Sequence, residues 1–211
     1  MARRGGTDAD RRARGEETRR LLVDAARALF AQRGFLSTSI GEIVDRSGVG
    51  TRGAFYHHFA DKTAVFRAVY EDVEGDLVLR SIANPEVGEP WETLVRGLHG
   101  FLTAALDPEV RQVMLIDAPA VLGWETRRAI EDANSIAVIE AILRGAMAAG
   151  TIDELPAREL AHMVAAAIEE GAMLVAHSDD VEAATDAAGR ILDRLLLGLL
   201  PTPAVARPKR R

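Results

Sequence analysis

The sequence predicts an all-α protein. Apolar residues recur three and four positions apart along most of the 211-residue chain, and no segment alternates apolar and polar residues as a strand would. Between residues 38 and 62, two short helical patterns are separated by a glycine-containing turn, which is typical of a helix-turn-helix. We therefore expect a three-helix N-terminal domain followed by a larger helical domain, with about nine helices in total.

The first predicted helix extends from Glu16 to Arg33, and Gly34 follows it in the position that commonly ends a helix. Its apolar face is formed by Leu21, Leu22, Ala25, Ala26, Leu29 and Phe30. Residues 1–15 are rich in Arg and Gly with little apolar content, and we expect them to form a disordered arm.

The second and third predicted helices are short. Ser39 followed by Glu42 predicts a capping box at the start of the second helix, and Gly48 permits the positive φ of a tight corner after it. The third helix, about Thr51 to His57, has Phe55 as its main apolar residue. Its other side chains offer hydroxyl, guanidinium and imidazole donors, which suit insertion into a DNA major groove better than burial in a core.

The segment from Gly34 to Phe66 resembles the DNA-binding domain of the tetracycline-repressor (TetR) family of bacterial transcription regulators. The shared features are Gly34-Phe35, Thr38-Ser39-Ile40, Ile43, the Ser-Gly-Val corner, Gly53, the run Phe55–Phe59, and Lys62. One spacing differs, because Tyr56 follows Val49 by seven residues, so the turn or the first part of the third helix is one residue longer than in the usual pattern. Which of Gly50, Thr51 and Arg52 contacts bases stays open.

The resemblance implies that residues 16–62 form a DNA-binding domain and residues 63–200 a helical regulatory and dimerisation domain, followed by a flexible basic tail at 201–211. The resemblance and the donors of the third helix together predict a set of DNA-contacting residues. They are Thr38, Ser39, Thr51, Arg52, Gly53, Tyr56, His57, His58 and Lys62.

The net charge of −6 is unevenly distributed along the chain. Residues 1–62 contain 12 Lys and Arg against 8 Asp and Glu, whereas residues 63–206 contain 10 against 24. A basic N-terminal part can contact phosphates, and an acidic remainder is repelled by the duplex.

Several classes of site are disfavoured by composition. The absence of cysteine excludes disulfides, thiol catalysis and zinc-thiolate sites. No apolar run approaches the roughly 20 residues of a membrane span, and the N-terminus has no hydrophobic segment, so we expect a cytoplasmic protein with no membrane partner. His57 and His58 are adjacent on a helix and cannot chelate one metal ion together, so we expect no metal and no cofactor.

The second domain is predicted to be helical throughout. Asp61 can cap a helix from Lys62 to about Ala83. Further helices are expected at Trp91–Leu106, Pro108–Ile116 and Trp124–Ala149, from Pro156 to about His177, and from about residue 180 to near Leu200. Between Pro119 and Gly123 the helical periodicity breaks.

That break is expected to leave a cavity among the helices from Trp91 to Ala149. Asp117 lies before it in apolar surroundings, where a carboxylate is costly unless it is paired. It either caps the following helix or bonds a backbone amide, or it lines a ligand pocket such as the family resemblance implies. The predicted ligand-binding residues are His99, Phe101, Met114, Asp117, Trp124 and Met147.

The last two helices have apolar faces broader than one packing partner requires. The resemblance implies that these helices and their symmetry mates form a four-helix dimer interface. The residues predicted for it are Ala165, Ile168, Ala172, Ala184, Ala188, Ile191 and Leu195.

The function favoured by these observations is a homodimeric repressor that a small-molecule effector releases from a palindromic DNA operator. An activator or a regulator that needs a corepressor is the alternative, because the sequence does not fix the sign of the response. A helical enzyme with an appended nucleic-acid-binding module belongs to a different class. It is disfavoured because the sequence shows no Ser-His-Asp arrangement, glycine-rich phosphate loop or metal-spaced His and carboxylate pair.

Overall fold

A computed structural model describes residues 8–82, 89–104 and 106–201, and it confirms the all-α class, with no strand in those ranges. The described residues form eleven α-helices and one π-helical stretch, more than the nine expected. The helices are α1 (Asp8–Arg33), α2 (Ile40–Ser47), α3 (Arg52–His58), α4 (Lys62–Ile82), α5 (Pro90–Ala104), α6 (Pro108–Val110), α7 (Ala118–Val121), α8 (Gly123–Ala133), α9 (Ser135–Ala148), α10 (Ala157–Ala176) and α11 (Val181–Leu197). The π-helical stretch, Arg111–Asp117, lies between α6 and α7.

The chain divides into two compact units. The first contains α1 to α3, α4 as far as Leu77, and Leu106–Glu131; the second contains α4 from Val78, α5, and the chain from Asp132 onward. The sequence alone predicts one boundary, after residue 62. The structure instead groups residues 106–131 with the helix-turn-helix.

Helix α1 begins earlier than expected. The prediction of a disordered arm is wrong for residues 8–15, which are helical, and residues 1–7 lie outside the described ranges, as do residues 202–211 of the predicted tail. The extension has almost no apolar face, and charges stabilise it instead. Asp8 and Asp10 lie in the first turn, where the helix dipole favours anions, and Arg11 pairs with Asp8 one turn away.

The first unit has a core of aromatic and aliphatic side chains contributed by α1 to α4. Phe66 of α4 packs edge-on against Phe30 and Phe35, with ring centroids 5.2 Å apart in both pairs. The other fully buried residues of this core include Leu22, Ala26, Ile43, Phe55, Val65 and Val69. Burial of each large side chain contributes roughly 1.5–3 kcal/mol, and this core fixes helices too short to be stable alone.

The local signals around the helix-turn-helix are confirmed. The Ser39 side chain accepts from the Glu42 amide while the Glu42 carboxylate accepts from the Ser39 amide, which completes the capping box. Gly48 ends α2 with φ 70°, and Asp61 caps α4 by accepting from the Ala64 amide at 2.8 Å.

The break predicted between Pro119 and Gly123 is present but shorter than expected. The chain stays helical from Pro108 to Val121, and the interruption is confined to Leu122 and Gly123, which has φ 70°. Pro119 lies in the first turn of α7, directly after the π-helical stretch. A proline clashes with the carbonyl four residues before it in an α-helix, and a wider π turn relieves that clash. The predicted helix Trp124–Ala149 is divided into α8 and α9 at Asn134.

The second unit packs α5, α9, α10 and α11 around a single apolar core. Its most buried members are Leu94, Leu98, Leu102, Ile136, Leu143, Ala161, Ile168, Leu192 and Leu196. At one edge the Asp132 carboxylate pairs with the Arg158 guanidinium at 2.8 Å and lies 3.4 Å from the His162 imidazole. Asp180 caps α11.

Two glycines with similar positive φ allow a matched test of how the corner after α1 packs. Gly34 and Gly48 have φ 78° and 70°, but a Cβ on Gly34 would lie 2.8 Å from the Gln112 amide nitrogen, whereas a Cβ on Gly48 would meet nothing within 4 Å. We expect Gly48→Ala to lower the free energy of unfolding by about 1–2 kcal/mol, the cost of a left-handed alanine. Gly34→Ala should lower it by somewhat more, up to about a further 1 kcal/mol, because the amide at the end of the flexible Gln112 side chain must move. Urea denaturation followed by circular dichroism measures both, and equal losses would show that Gln112 does not crowd the corner.

Candidate nucleic-acid interface

Helix α3 presents one polar face to the surface. Phe55 is fully buried beneath it, whereas Arg52, Gly53, Tyr56 and His57 are exposed. These four residues lie one, three and four positions apart, so they share a side of the helix. The face carries a guanidinium, a phenol hydroxyl and an imidazole, all of which can donate to base edges or phosphates.

The extra residue in the turn is accommodated outside α3. Gly50 has φ 90°, and Thr51 is the N-cap, its hydroxyl accepting from the Ala54 amide at 3.2 Å. Arg52 is therefore the first residue of the helix, and its guanidinium extends over α2, 3.0 Å from where a Cβ on Gly41 would lie. Thr51 is engaged in capping, while Arg52 remains exposed.

Thr38 does not lie at the surface as predicted. Its side chain is 2% exposed, and its hydroxyl donates to the Gly34 carbonyl at 2.9 Å. Ser39 is exposed, but its hydroxyl donates to the Glu42 carboxylate at 2.8 Å. The backbone amide and hydroxyl of Ser39 hold the pKa of Glu42 below its usual value. Thr38 thus fixes the corner rather than contacting DNA, and Ser39 fixes the start of α2.

Lys62 is engaged within the chain. Its ammonium donates to the carbonyls of Phe35 at 2.8 Å and Thr38 at 2.9 Å, and it lies 4.1 Å from the centre of the Phe35 ring. The side chain is half-buried. The two carbonyl acceptors and the aromatic face give Lys62 a structural role in the corner, and they leave its third N–H able to donate to a phosphate.

The two histidines after Tyr56 differ in environment. Their rings lie edge to face with centroids 5.1 Å apart; His57 is exposed and His58 is half-buried. Burial, and then the charges of His57 and Arg19, lower the pKa of His58 below its ordinary value. At neutral pH His58 is therefore uncharged and adds no cation to the interface. Among residues 8–82, 89–104 and 106–201 no cluster of His, Asp or Glu is arranged to hold a metal ion.

The structure divides the predicted ligand-binding residues between the two units. Met114 is buried in the first unit, and Trp124, also in the first unit, is 71% exposed beneath the Arg128 guanidinium. His99, Phe101 and Met147 belong to the second unit.

Of the interpretations that the sequence left open for Asp117, the structure shows the hydrogen bond to a backbone amide. Its carboxylate accepts from the backbone amide of Phe35 at 2.8 Å, and it makes no capping bond to α7. The hydrogen bond gives Asp117 a structural role in the first unit.

Within the second unit, Met147 lines a surface groove of about 470 Å³. The other lining residues are Arg144, Ala148, Glu154, Leu155, Pro156 and Ala157. The other predicted residues of this unit have structural surroundings: His99 pairs with Asp193 at 2.7 Å, and Phe101 packs against the core.

The predicted dimer residues on α10 and α11 fall into two groups. Ile168 and Ala172 are 4% and 0% exposed, so they belong to the core of the second unit, and this part of the prediction is wrong. Ala165, Ala184 and Ala188 are half-buried. By contrast Ile191 and Leu195 are 61% and 59% exposed.

Two further exposed apolar residues, on α10, were not predicted from the sequence. Met163 and Leu174 on α10 are 70% and 60% exposed. They lie eleven positions apart, which is three helical turns, and this spacing is the signal that could have identified a second apolar stripe. The exposed apolar stripes of α10 and α11 are thus Met163 and Leu174 on one helix, and Ile191 and Leu195 on the other.

A group of ion pairs in the first unit was also not predicted from the sequence. The Arg27 guanidinium donates twice to the Glu109 carboxylate, at 2.8 and 2.7 Å, and once to the Asp76 carboxylate at 2.7 Å. It therefore joins α1, α4 and α6, and the bond to Glu109 contributes most to raising the pKa of Arg27. The partners lie far from Arg27 in the sequence, so no local pattern could have predicted them.

The comparisons with known proteins cover both parts of the chain. Residues 22–69 match the family described as bacterial regulatory proteins, tetR family, and residues 91–199 match the tetracyclin repressor-like C-terminal domain.

None of the described helices is both long and apolar enough to span a membrane.

Individual relatives agree with these matches. The chain is 39% identical over 103 residues to the HTH-type transcriptional regulator AcrR of Shigella flexneri, covering 47% of each protein. It is 28% identical over 109 residues to the transposon Tn10 TetC protein of Escherichia coli, covering 52% of this chain and 55% of that protein. These alignments span about half the length of the curated relatives. The crystal structure of a TetR-family transcriptional regulator from Pectobacterium atrosepticum superimposes with a TM-score of 0.77 and 31% identity, covering 91% of this chain and 98% of that one.

Proposed function

The chain belongs to the TetR family of bacterial regulatory proteins, and on that premise we propose that it is a homodimeric repressor that a small-molecule effector releases from a palindromic DNA operator. The exposed polar face of α3, backed by buried Phe55, is the observation that carries the DNA-reading part of this proposal. In it, residues 16–62 read DNA, and residues 63–200 serve regulation and dimerisation.

Within that face, Arg52 is the base-reading candidate. Thr51 is engaged by the Ala54 amide, and Gly50 lies outside the helix, whereas Arg52 begins the helix with an exposed guanidinium. Arginine contacts guanine bidentately in the major groove, and the first residues of a recognition helix commonly make such contacts. Tyr56 and His57, one turn further along, are suited to phosphate contacts.

The DNA-reading proposal is tested by selection of binding sites from a random duplex library. We expect the wild-type chain to enrich a palindrome whose half-sites lie about one helical turn apart. Arg52→Ala should lose about 1–3 kcal/mol of discrimination at one base pair in each half-site. Arg46→Ala, which removes another exposed cation from the same unit, serves as the control and should weaken binding to all sequences alike. If Arg52→Ala enriches the same sequences as the wild type, Arg52 does not read a base.

The dimer proposal rests on the apolar stripes of α10 and α11. Four large apolar side chains there are more than half exposed, which is costly in water and favours a covered interface. Two identical helix-turn-helix domains held together would match the two-fold symmetry of a palindrome.

Leu195→Glu and Leu192→Glu form a matched pair that separates interface from core. Leu195 is 59% exposed and Leu192 is 4% exposed, three positions away on the same helix. We expect Leu195→Glu to give a folded monomer that no longer binds the palindrome, and Leu192→Glu to unfold because it buries an unpaired charge. Sedimentation and circular dichroism distinguish the two. A folded Leu195→Glu variant that stays dimeric would remove α11 from the interface.

The effector proposal rests on the family assignment and leaves the compound unspecified. Compounds that bind the native chain raise its thermal midpoint by mass action, so a thermal-shift screen of metabolites and antibiotics identifies them. By linkage, a compound that acts as an inducer must also weaken binding of the selected duplex. Fluorescence anisotropy of that duplex measures this. Compounds that instead tighten binding would indicate a corepressor-dependent regulator, and compounds without effect on DNA affinity would argue against regulation by that ligand.

A further inference from the structure

Both backbone polar groups of Phe35 are held by charged side chains. Its amide donates to the Asp117 carboxylate at 2.8 Å, and its carbonyl accepts from the Lys62 ammonium at 2.8 Å. Hydrogen bonds to ionised partners are about twice as strong as neutral ones. The corner between α1 and α2 is therefore fixed by an anion at the end of the π-helical stretch and by a cation at the start of α4.

The corner is also shaped for close approach of the π-helical stretch. Gly34 is buried, and a Cβ there would lie 2.8 Å from the Gln112 nitrogen and 3.4 Å from the Asp117 carboxylate. Only glycine combines this approach with φ 78° at no steric cost. The hydrogen bond thus joins the two segments, and the absence of a side chain at Gly34 permits their close approach.

The π-helical stretch is anchored at both ends. Just before it, Glu109 is bound bidentately by Arg27 of α1, and Asp117 at its last position is bound by the Phe35 amide. In a π-helix the hydrogen-bond register is one residue longer than in an α-helix, so the same residues wound as an α-helix would direct Asp117 elsewhere around the axis. The π register therefore directs the carboxylate towards Phe35.

Displacement of the corner is expected to displace the helices that read DNA. Only Leu36, Ser37 and Thr38 separate Phe35 from the Ser39 cap of α2. Thr38 is in turn held by its hydroxyl to Gly34 and by its carbonyl to Lys62. The start of α2 thus has little freedom to move independently of Phe35, and α2 is followed after a short turn by α3.

We propose that Asp117 is a positioning residue for DNA reading, which acts through the Phe35 amide to fix the orientation of the α2–α3 pair. This inference rests on the proposed function, because it concerns how that interface is held. It adds a residue outside the helix-turn-helix, 82 positions from Phe35 in the sequence, to those that determine operator affinity.

Substitution of Asp117 is expected to change DNA affinity in opposite directions, depending on whether the residue acts through its charge or through its hydrogen bond to Phe35. Loss of a negative charge from a DNA-binding unit strengthens binding if only long-range electrostatics matter. Loss of the hydrogen bond that positions α2 and α3 weakens binding to a specific site. The sign of the change therefore separates the two.

The test compares the wild type with Asp117→Ala, Asp117→Asn and the control Glu125→Ala. Glu125 is an exposed carboxylate in the same unit, so its removal measures the effect of charge alone. The probes are the duplex that the wild type selects from a random library and a scrambled duplex of the same length, at one salt concentration.

We expect Asp117→Ala to bind the selected duplex about tenfold more weakly and the scrambled duplex no more weakly than the wild type. Asp117→Asn, whose neutral amide oxygen accepts from Phe35 more weakly, should lose about threefold on the selected duplex. Glu125→Ala should bind both duplexes equally well or slightly more tightly. Hydrogen exchange at the Phe35 amide should accelerate in Asp117→Ala, while the amides of Leu22 and Phe30 in α1 remain protected.

The proposal is overturned if Asp117→Ala binds the selected duplex as tightly as the wild type or more tightly, or if exchange at Phe35 does not change. Should Asp117→Ala fail to fold, Asp117→Asn decides. Because the neutral amide is a weaker acceptor, a loss of about threefold confined to the selected duplex is then expected, and unchanged or tighter binding to both duplexes would refute the role. A library from which the wild type enriches nothing contradicts the proposed function itself, and this inference falls with it.

Discussion

Backbone groups between Gly34 and Thr38 lie where the chain changes direction, so helical hydrogen bonds cannot satisfy all of them. The Lys62 ammonium, the Asp117 carboxylate and the Thr38 hydroxyl take over that role. Helices α2 and α3, with 8 and 7 residues, are too short to be stable in isolation. Their orientation therefore depends on this corner as much as on the apolar core beneath them.

The features that could be predicted from sequence are those determined by residues only a few positions apart. The Ser39–Glu42 capping box, the left-handed Gly48 and the Asp61 cap depend on neighbours one turn away, and all three are present. The roles of Lys62 and Asp117 could not be predicted in this way. A lysine beside a helix-turn-helix is equally compatible with a phosphate contact and with a carbonyl clamp, and only tertiary contacts distinguish them. The same applies to the π-helical stretch, which has the apolar spacing of an ordinary helix.

Apolar periodicity identifies a stripe on a helix but not the partner that covers it. On α10, the stripe containing Ile168 and Ala172 faces the core of the same unit, so its assignment to a dimer interface fails. The stripe containing Met163 and Leu174 points to the surface. For a helix with two apolar stripes, the sequence predicts that both stripes are covered. Which stripe is covered by the same chain follows only from how the neighbouring helices pack.

The charge argument also changes when the chain is divided by contacts rather than by sequence. Residues 1–62 are basic, but the first unit as a whole contains 16 Lys and Arg against 17 Asp and Glu, so net charge cannot account for attraction to a polyanion. Several of its carboxylates are bound by donors: Glu109 and Asp76 by Arg27, and Asp117 by the Phe35 amide. Physiological salt screens the interaction between exposed charges beyond about 8 Å, so the cations close to the duplex contribute most to DNA binding. In the proposed function, affinity for DNA then depends on where α3 places Arg52, and hence on the corner that orients α3.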